Sequence, residues 1–266
     1  MTEKKIYFLS GLPRTGSTLL GSILSQNPNI HVTPTSPLCP FLINTNETFN
    51  VLNLQYTFDQ IKISNRVYHA AIRDFYADIE KPIIFDKHRA WPKHISAIQE
   101  YINPIAKVVC TIRPIAEIIT SYLVLANKDE SNFIDEHLNK IAYPVNNESR
   151  ATLLWEEYLK VPYETMKEGI SNNRDNLLLI EYLDIVYSPE KTIDKIYEFC
   201  GIDQHQHQFS NIENKCAEAK DEAWGLKDLH TIRPSLEMKS ESPTMYLPKK
   251  AIEYFSQFDI SGVIYG

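Results

Sequence analysis

The stretch from Lys5 to Gln26 constrains this chain more than any other. Lys5-Ile6-Tyr7-Phe8-Leu9-Ser10 is a compact apolar run that stops at Gly11, which predicts a buried parallel strand. From Ser17 to Gln26 apolar residues recur at Leu19, Leu20, Ile23 and Leu24, the spacing of a helix, closed by Asn27-Pro28. Between strand and helix lies Gly11-Leu12-Pro13-Arg14-Thr15-Gly16-Ser17-Thr18. Glycines at both ends of such a turn let the backbone wrap an anion, and the helix N-terminus presents unpaired N–H groups to it. Ser17 and Thr18 add hydroxyl donors, and Arg14 adds positive charge at the tip. The shape is that of a Walker A loop, except that Ser17 stands where the lysine belongs. A nucleoside triphosphate needs that lysine and Mg²⁺ to offset its outer phosphates. A loop without it suits a less charged 5′-phosphate.

The same alternation continues along the chain. Residues from Phe58 to Asp78 fit an amphipathic helix with Ile61, Val67, Ala71, Ile72 and Phe75 on or near one face. Pro82 to Phe85 predicts a second buried strand ending at Asp86, followed by a helix from Pro92 to Tyr101. Ala106 to Ile112 predicts a third strand, and Pro114 to Ala126 a helix with proline in its first turn. Helices near Phe133–Ile141 and Glu148–Gly169 precede a fourth strand from Asn176 to Glu181. A helix from Pro189 to Phe199 ends at Gly201, a C-cap. Pro34, Pro37 and Pro40 predict an irregular, partly exposed stretch. This order predicts a doubly wound, mainly parallel α/β sheet flanked by helices, with ligands at the carboxyl ends of its strands. Three strands end in useful chemistry: Gly11 to Arg14, Asp86-Lys87-His88, and Arg113.

Composition narrows the partners. The 266 residues are 43% hydrophobic and 23% charged, ordinary for a globular chain, and fit one domain with its core at about 4–201. The segment 202–266 is polar with little periodicity and is expected to pack over the sheet edge and active site. A net charge of −7 argues against nucleic acid or an anionic membrane surface as partner. No apolar run is long enough to span a bilayer, and the N-terminus lacks the pattern of a signal peptide. Cys39, Cys110, Cys200 and Cys216 are scattered without metal spacing, so reduced thiols in a cytoplasmic protein are expected.

The residues from Gly11 to Leu20 resemble the 5′-phosphosulfate loop of sulfotransferases that use 3′-phosphoadenosine 5′-phosphosulfate (PAPS), closest to the P-R-S-G-T-T-L form of the tyrosylprotein and bacterial branches. The resemblance implies a P-loop-like fold and release of 3′-phosphoadenosine 5′-phosphate (PAP). It gives Arg14 to the 5′-phosphate and the bridging oxygen, and Thr15, Gly16, Ser17 and Thr18 to the 5′-phosphate. A second match supports it: the strand Val108 to Ile112 ends in Arg113-Pro114, and Ser121 lies eight residues after Arg113. This is similar to the family's 3′-phosphate motif, in which arginine and serine clamp the phosphate. A guanidinium suits that task because its N–H groups match phosphate oxygens in pairs. Glu181 to Pro189 resembles the segment in which a tyrosine, here Tyr182, meets the adenine.

Sulfuryl transfer to an alcohol needs a base and cations to steady the bridging oxygen. Asp86-Lys87-His88-Arg89 follows the second strand, where cytosolic sulfotransferases carry K-T-H with a histidine base. His88 is therefore the expected base, Asp86 the alternative base or the group that orients it, and Lys87 a stabiliser of sulfuryl oxygens. His230 and Arg233 are candidates for an active-site lid. The chain departs from the family in three places. Thr35 aligns with the tyrosylprotein branch's glutamate, Leu19 with the tryptophan that stacks on adenine, and the C-terminal R-K-G-x-x-G loop is absent. Trp224 is a candidate for the missing stack. The expected acceptor is a small-molecule or glycan hydroxyl, with no metal. Two other readings stay open: a small-molecule P-loop kinase, with Asp86 ending a metal-holding strand, and a catalytically silent nucleotide-binding module.

Overall fold

The apolar runs assemble into one sheet because each is short, continuous and bounded by a turn residue. The structure, a computed structural model, describes residues 4–53, 58–216, 221, 225–233, 236 and 241–260; the side chains of 46, 48–53 and 58–65 lie outside that description. Five strands, β1 (Lys5–Gly11), β2 (Ile30–Thr35), β3 (Ile83–Lys87), β4 (Val108–Ile112) and β5 (Leu177–Glu181), pair in parallel in the order β2-β3-β1-β4-β5. The helices are α1 (Ser17–Leu24), α2 (Leu38–Asn53), α3 (Phe58–Phe75), α4 (Ile95–Tyr101), α5 (Ile115–Ala126), α6 (Phe133–Lys140), α7 (Asn147–Leu153), α8 (Lys160–Asn172), α9 (Tyr182–Tyr187), α10 (Pro189–Cys200) and α11 (Lys249–Ser256). β1 lies at the centre of this order, with β3 and then β2 on one side and β4 and then β5 on the other, so the loop after β1 sits at the switch point where open α/β sheets bind ligands.

Side chains alternate between two apolar layers, as the two-residue period of a strand requires. Tyr7, Leu9, Phe85 and Val109 pack with Leu20, Ile23 and Leu24 of α1 and Ile193, Ile196 and Tyr197 of α10. Phe8, Ile84, Val108 and Cys110 join the other layer with Ile72, Trp91, Ile118, Leu123 and Trp155. With both faces covered, β4 is buried at every position. Each fully buried large side chain stabilises the fold by roughly 1.5–3 kcal/mol.

The structure corrects several sequence expectations. The proline stretch after Asn27 holds β2 and the start of α2. β2 is an edge strand whose pairing shifts between Val32 and Thr35, so the missing N–H of Pro34 is tolerated there. Pro40 falls in the first turn of α2, where an N–H has no intrahelical partner. On α3 the inward face is Tyr68 and Ile72, with Tyr76 just beyond it, while Val67 and Phe75 are exposed. The helix expected over Glu148–Gly169 is divided by a π-helical turn, Leu154–Leu159, just ahead of Pro162. Proline has no N–H and crowds the carbonyl four residues back, so the ladder widens before it.

Gly201 does cap α10 in the left-handed region, at φ 66°. Beyond it the chain is less of a polar tail than expected. Ile212 and Cys216 enter one apolar layer, and Leu226, Leu229, Leu247, Phe255 and Ile260 the other. Asp259 accepts the Ile115 N–H at 2.8 Å, at the start of α5. All four cysteines are buried thiols, with no disulfide between any two of them. No helix among the described residues is long and apolar enough to cross a membrane.

Candidate active site

The loop after β1 is held open by sterics. Gly11 pairs with Thr111 across the β1–β4 ladder, and a Cβ on it would lie 2.2 Å from Thr111 Oγ1. Gly16 precedes α1 at φ 90°, where a Cβ would lie 2.8 Å from Tyr182 Cδ2. Both positions demand glycine. Arg14 also has a positive φ, 67°, a conformation that costs roughly 1–2 kcal/mol for a residue with a Cβ. Thr15 departs from expectation. Its hydroxyl donates to the Leu12 carbonyl at 2.7 Å and meets Thr111 Oγ1 at 2.7 Å, so it braces the loop and does not line the cavity beside it.

A cavity of about 300 Å³ opens beside this loop at the strand ends. Of the sequence-predicted residues, Arg14, Gly16, Ser17, Thr18, Lys87, His88, Arg113, Ser121 and Tyr182 line it; Asp86 and Thr15 do not. Leu19, Thr35, His230 and Arg233 line it too, while Trp224 lies outside the described residues. Six basic side chains, Arg14, Lys87, Arg89, Arg113, Lys128 and Arg233, meet two acidic ones, Glu117 and Glu241, in this one place. In a chain of net charge −7 that is a local reversal of sign. It is the signature of an anion site.

The period of β3 separates Asp86 from its neighbours. Asp86 follows Ile84 into the apolar layer, fully buried, where it accepts from Trp91 Nε1 at 2.7 Å and from the Tyr76 hydroxyl. Burial pushes its carboxyl up, opposed by the bonds from Ser36, Tyr76 and Trp91. It is a structural anchor, which corrects its expected place as alternative base. Lys87 points the other way, and its Nζ lies 3.3 Å from Thr18 Oγ1 on α1.

His88 lines the cavity with a fixed tautomer. Its Nδ1 accepts the Ala90 backbone N–H at 3.2 Å, so the neutral ring carries its hydrogen on Nε2. Burial, with Arg89 and His94 adding to it, lowers its pKa to about 4. A ring that is neutral with its lone pair already engaged is a hydrogen-bond donor. That departs from the expected base.

The second anion group gathers around α5. Arg113 Nε donates to Glu117 Oε2 at 3.0 Å, its Nη1 donates to the Arg14 carbonyl at 3.1 Å, and its guanidinium covers Tyr182, 4.3 Å from the ring centre. The stack fixes the plane of the guanidinium. Arg14 Nε donates to Ser121 Oγ at 3.0 Å, and its Nη1 to the Leu229 carbonyl. Both of these acceptors are neutral. Burial lowers the pKa of this guanidinium, Arg113 adding to the effect. A buried charge whose hydrogen bonds go to neutral acceptors is stabilised further by an anion entering the cavity.

A model of the sulfotransferase family matches residues 7–207. The chain belongs to the sulfotransferase family. No curated protein matches it. Among solved structures, this sulfotransferase is similar to the sulfotransferase domain from the curacin biosynthetic pathway, with a TM-score of 0.58 and 16% identity, covering 99% of this chain and 98% of that one. It is also similar to the mouse sulfotransferase SULT7A1 complexed with PAP, with a TM-score of 0.52 and 14% identity, covering 96% and 83%. The parallel five-stranded sheet flanked by helices is thus the P-loop-like sulfotransferase fold.

Several lining residues escaped the sequence reading. Arg89 was within reach, as the neighbour of His88 in a charged tetrapeptide. Glu117, in the first turn of α5, had a weaker signal, four residues after Arg113. Lys128, just past α5, had none, and neither had Asp221, which is not in the lining but bonds to His230; only tertiary packing brings them near.

Proposed function

We propose that this sulfotransferase takes the sulfuryl group from PAPS and passes it in line to a hydroxyl of a small-molecule or glycan acceptor, releasing PAP. The convergence of six cations on a lysine-less phosphate loop carries this reading. The loop N–H groups with Ser17 and Thr18 take the 5′-phosphate, as the N-terminus of α1 favours. Arg14 and Lys87 steady the bridging oxygen and the sulfuryl oxygens as charge moves to the leaving phosphate. Protein cations supply that charge in this reading, so the proposed transfer is metal-independent. Arg113 and Ser121 take the 3′-phosphate, exchanging their present bonds to Glu117 and Arg14 for charge-assisted bonds to phosphate. Arg113 already covers Tyr182, so adenine meets what remains of that ring. Leu229 to Arg233 border the same site, with the Leu229 carbonyl on Arg14. The kinase reading loses its metal-holding aspartate, since Asp86 is engaged in the apolar layer.

The test is transfer from radiolabelled PAPS across phenols, glycans and alcohols. Labelled product from at least one acceptor class is expected. Binding of ATP with phosphoryl transfer, and no use of PAPS, would contradict the reading.

A further inference from the structure

An acidic side chain sits on the same arginine that the reading above gives to the 3′-phosphate. Glu117 lines the cavity in the first turn of α5, and Arg113 Nε donates to its Oε2 at 3.0 Å. The two side chains are 8% and 20% exposed, so water screens their attraction only in part. Arg113 is also held from two other sides. Its Nη1 donates to the Arg14 carbonyl at 3.1 Å, and its Cζ lies 4.3 Å from the centre of the Tyr182 ring. Those two contacts set the plane of the guanidinium without Glu117.

Glu117 is not needed to start α5 either. Asp259 accepts the Ile115 N–H at 2.8 Å and so already places a carboxylate at that end of the helix. Burial raises the Asp259 carboxyl, and the charge of Glu117 adds to the shift. A second acid at this helix start therefore works against the first. What Glu117 does hold is the Nε edge of Arg113. A phosphate that takes that edge must displace it, and the displaced carboxylate then faces the phosphate as a like charge.

We propose that Glu117 is a built-in competitor for the 3′-phosphate, lowering affinity for PAPS and PAP alike and speeding the release of PAP. This rests on the reading above, in which Arg113 takes that phosphate. In the empty site the carboxylate neutralises Arg113. When PAPS enters, the 3′-phosphate takes over the guanidinium and Glu117 turns out of the ion pair. As PAP leaves, Glu117 returns, so Arg113 is not left as an uncompensated, nearly buried charge. Adenosine 5′-phosphate has no 3′-phosphate and leaves the ion pair in place.

The experiment needs nucleotide and no acceptor. Calorimetry gives the affinities for PAP and for adenosine 5′-phosphate, and a chase of radiolabelled PAP with excess unlabelled PAP gives its dissociation rate. Glu117→Gln keeps the shape and removes the charge. It is expected to bind PAP roughly tenfold tighter and to release it roughly tenfold more slowly. Its affinity for adenosine 5′-phosphate stays within about twofold, which also shows that the variant is folded. Glu117→Ala repeats the gain on PAP, because the charge and not the amide is what matters. A weaker PAP complex in both variants would make Glu117 an aligner of Arg113 and overturn the proposal. Unchanged PAP affinity, or an equal gain for both nucleotides, would overturn it as well. Each of these results leaves PAPS use standing, whereas a wild-type protein that bound no PAP would remove the reading beneath it.

Discussion

The phosphate loop at 11–18 and the segment at 225–233 reach one cavity by opposite routes. The loop is built by neighbours in sequence: a buried strand, two glycines that no other residue can replace, and a helix start. The segment contains no strand or helix among its described residues and is placed by distant ones, through Phe133, Asp129 and Arg14. The loop is therefore rigid and local, whereas the segment borrows its position. In the proposed reading, binding of the nucleotide rests on the first, and completion of the site on the second.

The largest expected effect is at Gly16. Gly16→Val places a branched side chain at φ 90° against Tyr182, and should cost about 3 kcal/mol of stability and lower PAP affinity by roughly 100-fold or more. Denaturant unfolding and calorimetry read the two effects; a folded variant with normal PAP affinity would mean that the loop is not the local device described here. Leu226→Ala tests the other region. Loss of this buried side chain should cost about 2–3 kcal/mol, confined to the segment. Limited proteolysis should then cut within 225–233 while amides of the central strands keep their protection from hydrogen exchange. Loss of protection throughout the sheet would show that the segment is as integral as the loop.

The smallest effect concerns His88, which lies between the two regions. Its folded pKa is about 4 against an ordinary 6.5. Above pH 6.5 the ring is neutral in both folded and unfolded chains, and its contribution is complete. As the pH falls toward 4, the unfolded chain takes up a proton that the folded one refuses, so stability is lost. Wild type should therefore lose on the order of 1 kcal/mol more than His88→Gln over that range. Parallel stability profiles for the two proteins would show that the ring is not held neutral.

The same contrast explains what the sequence made legible. Strands β1, β3, β4 and β5 follow from continuous apolar runs, and the loop from its glycines. β2 was hidden by Pro34, because the rule that excludes proline from strands relaxes at a sheet edge, and edge position is a tertiary fact. Lys87 and His88 of the tetrapeptide line the cavity and Asp86 does not, a split that depends on the phase of β3. One step along the strand sends Asp86 to Trp91 and Lys87 to Thr18. Arg113 and Ser121 came from the resemblance to the family's 3′-phosphate motif and both line the cavity, whereas their present partners Glu117 and Arg14 were not foreseen as such. Asp221 and His230 are nine residues apart in an aperiodic segment, and no local pattern announces a carboxylate–imidazole pair there.

Calorimetry with PAP and with adenosine 5′-phosphate, on wild type and Arg113→Ala, tests the central claim most directly. Two separated anion groups gripping one nucleotide predict that PAP binds wild type far more tightly than the monophosphate. Arg113→Ala should then weaken PAP by roughly 10–100-fold and leave the monophosphate nearly unchanged. No detectable association with PAP at millimolar concentration, or an equal loss for both nucleotides, would contradict the account.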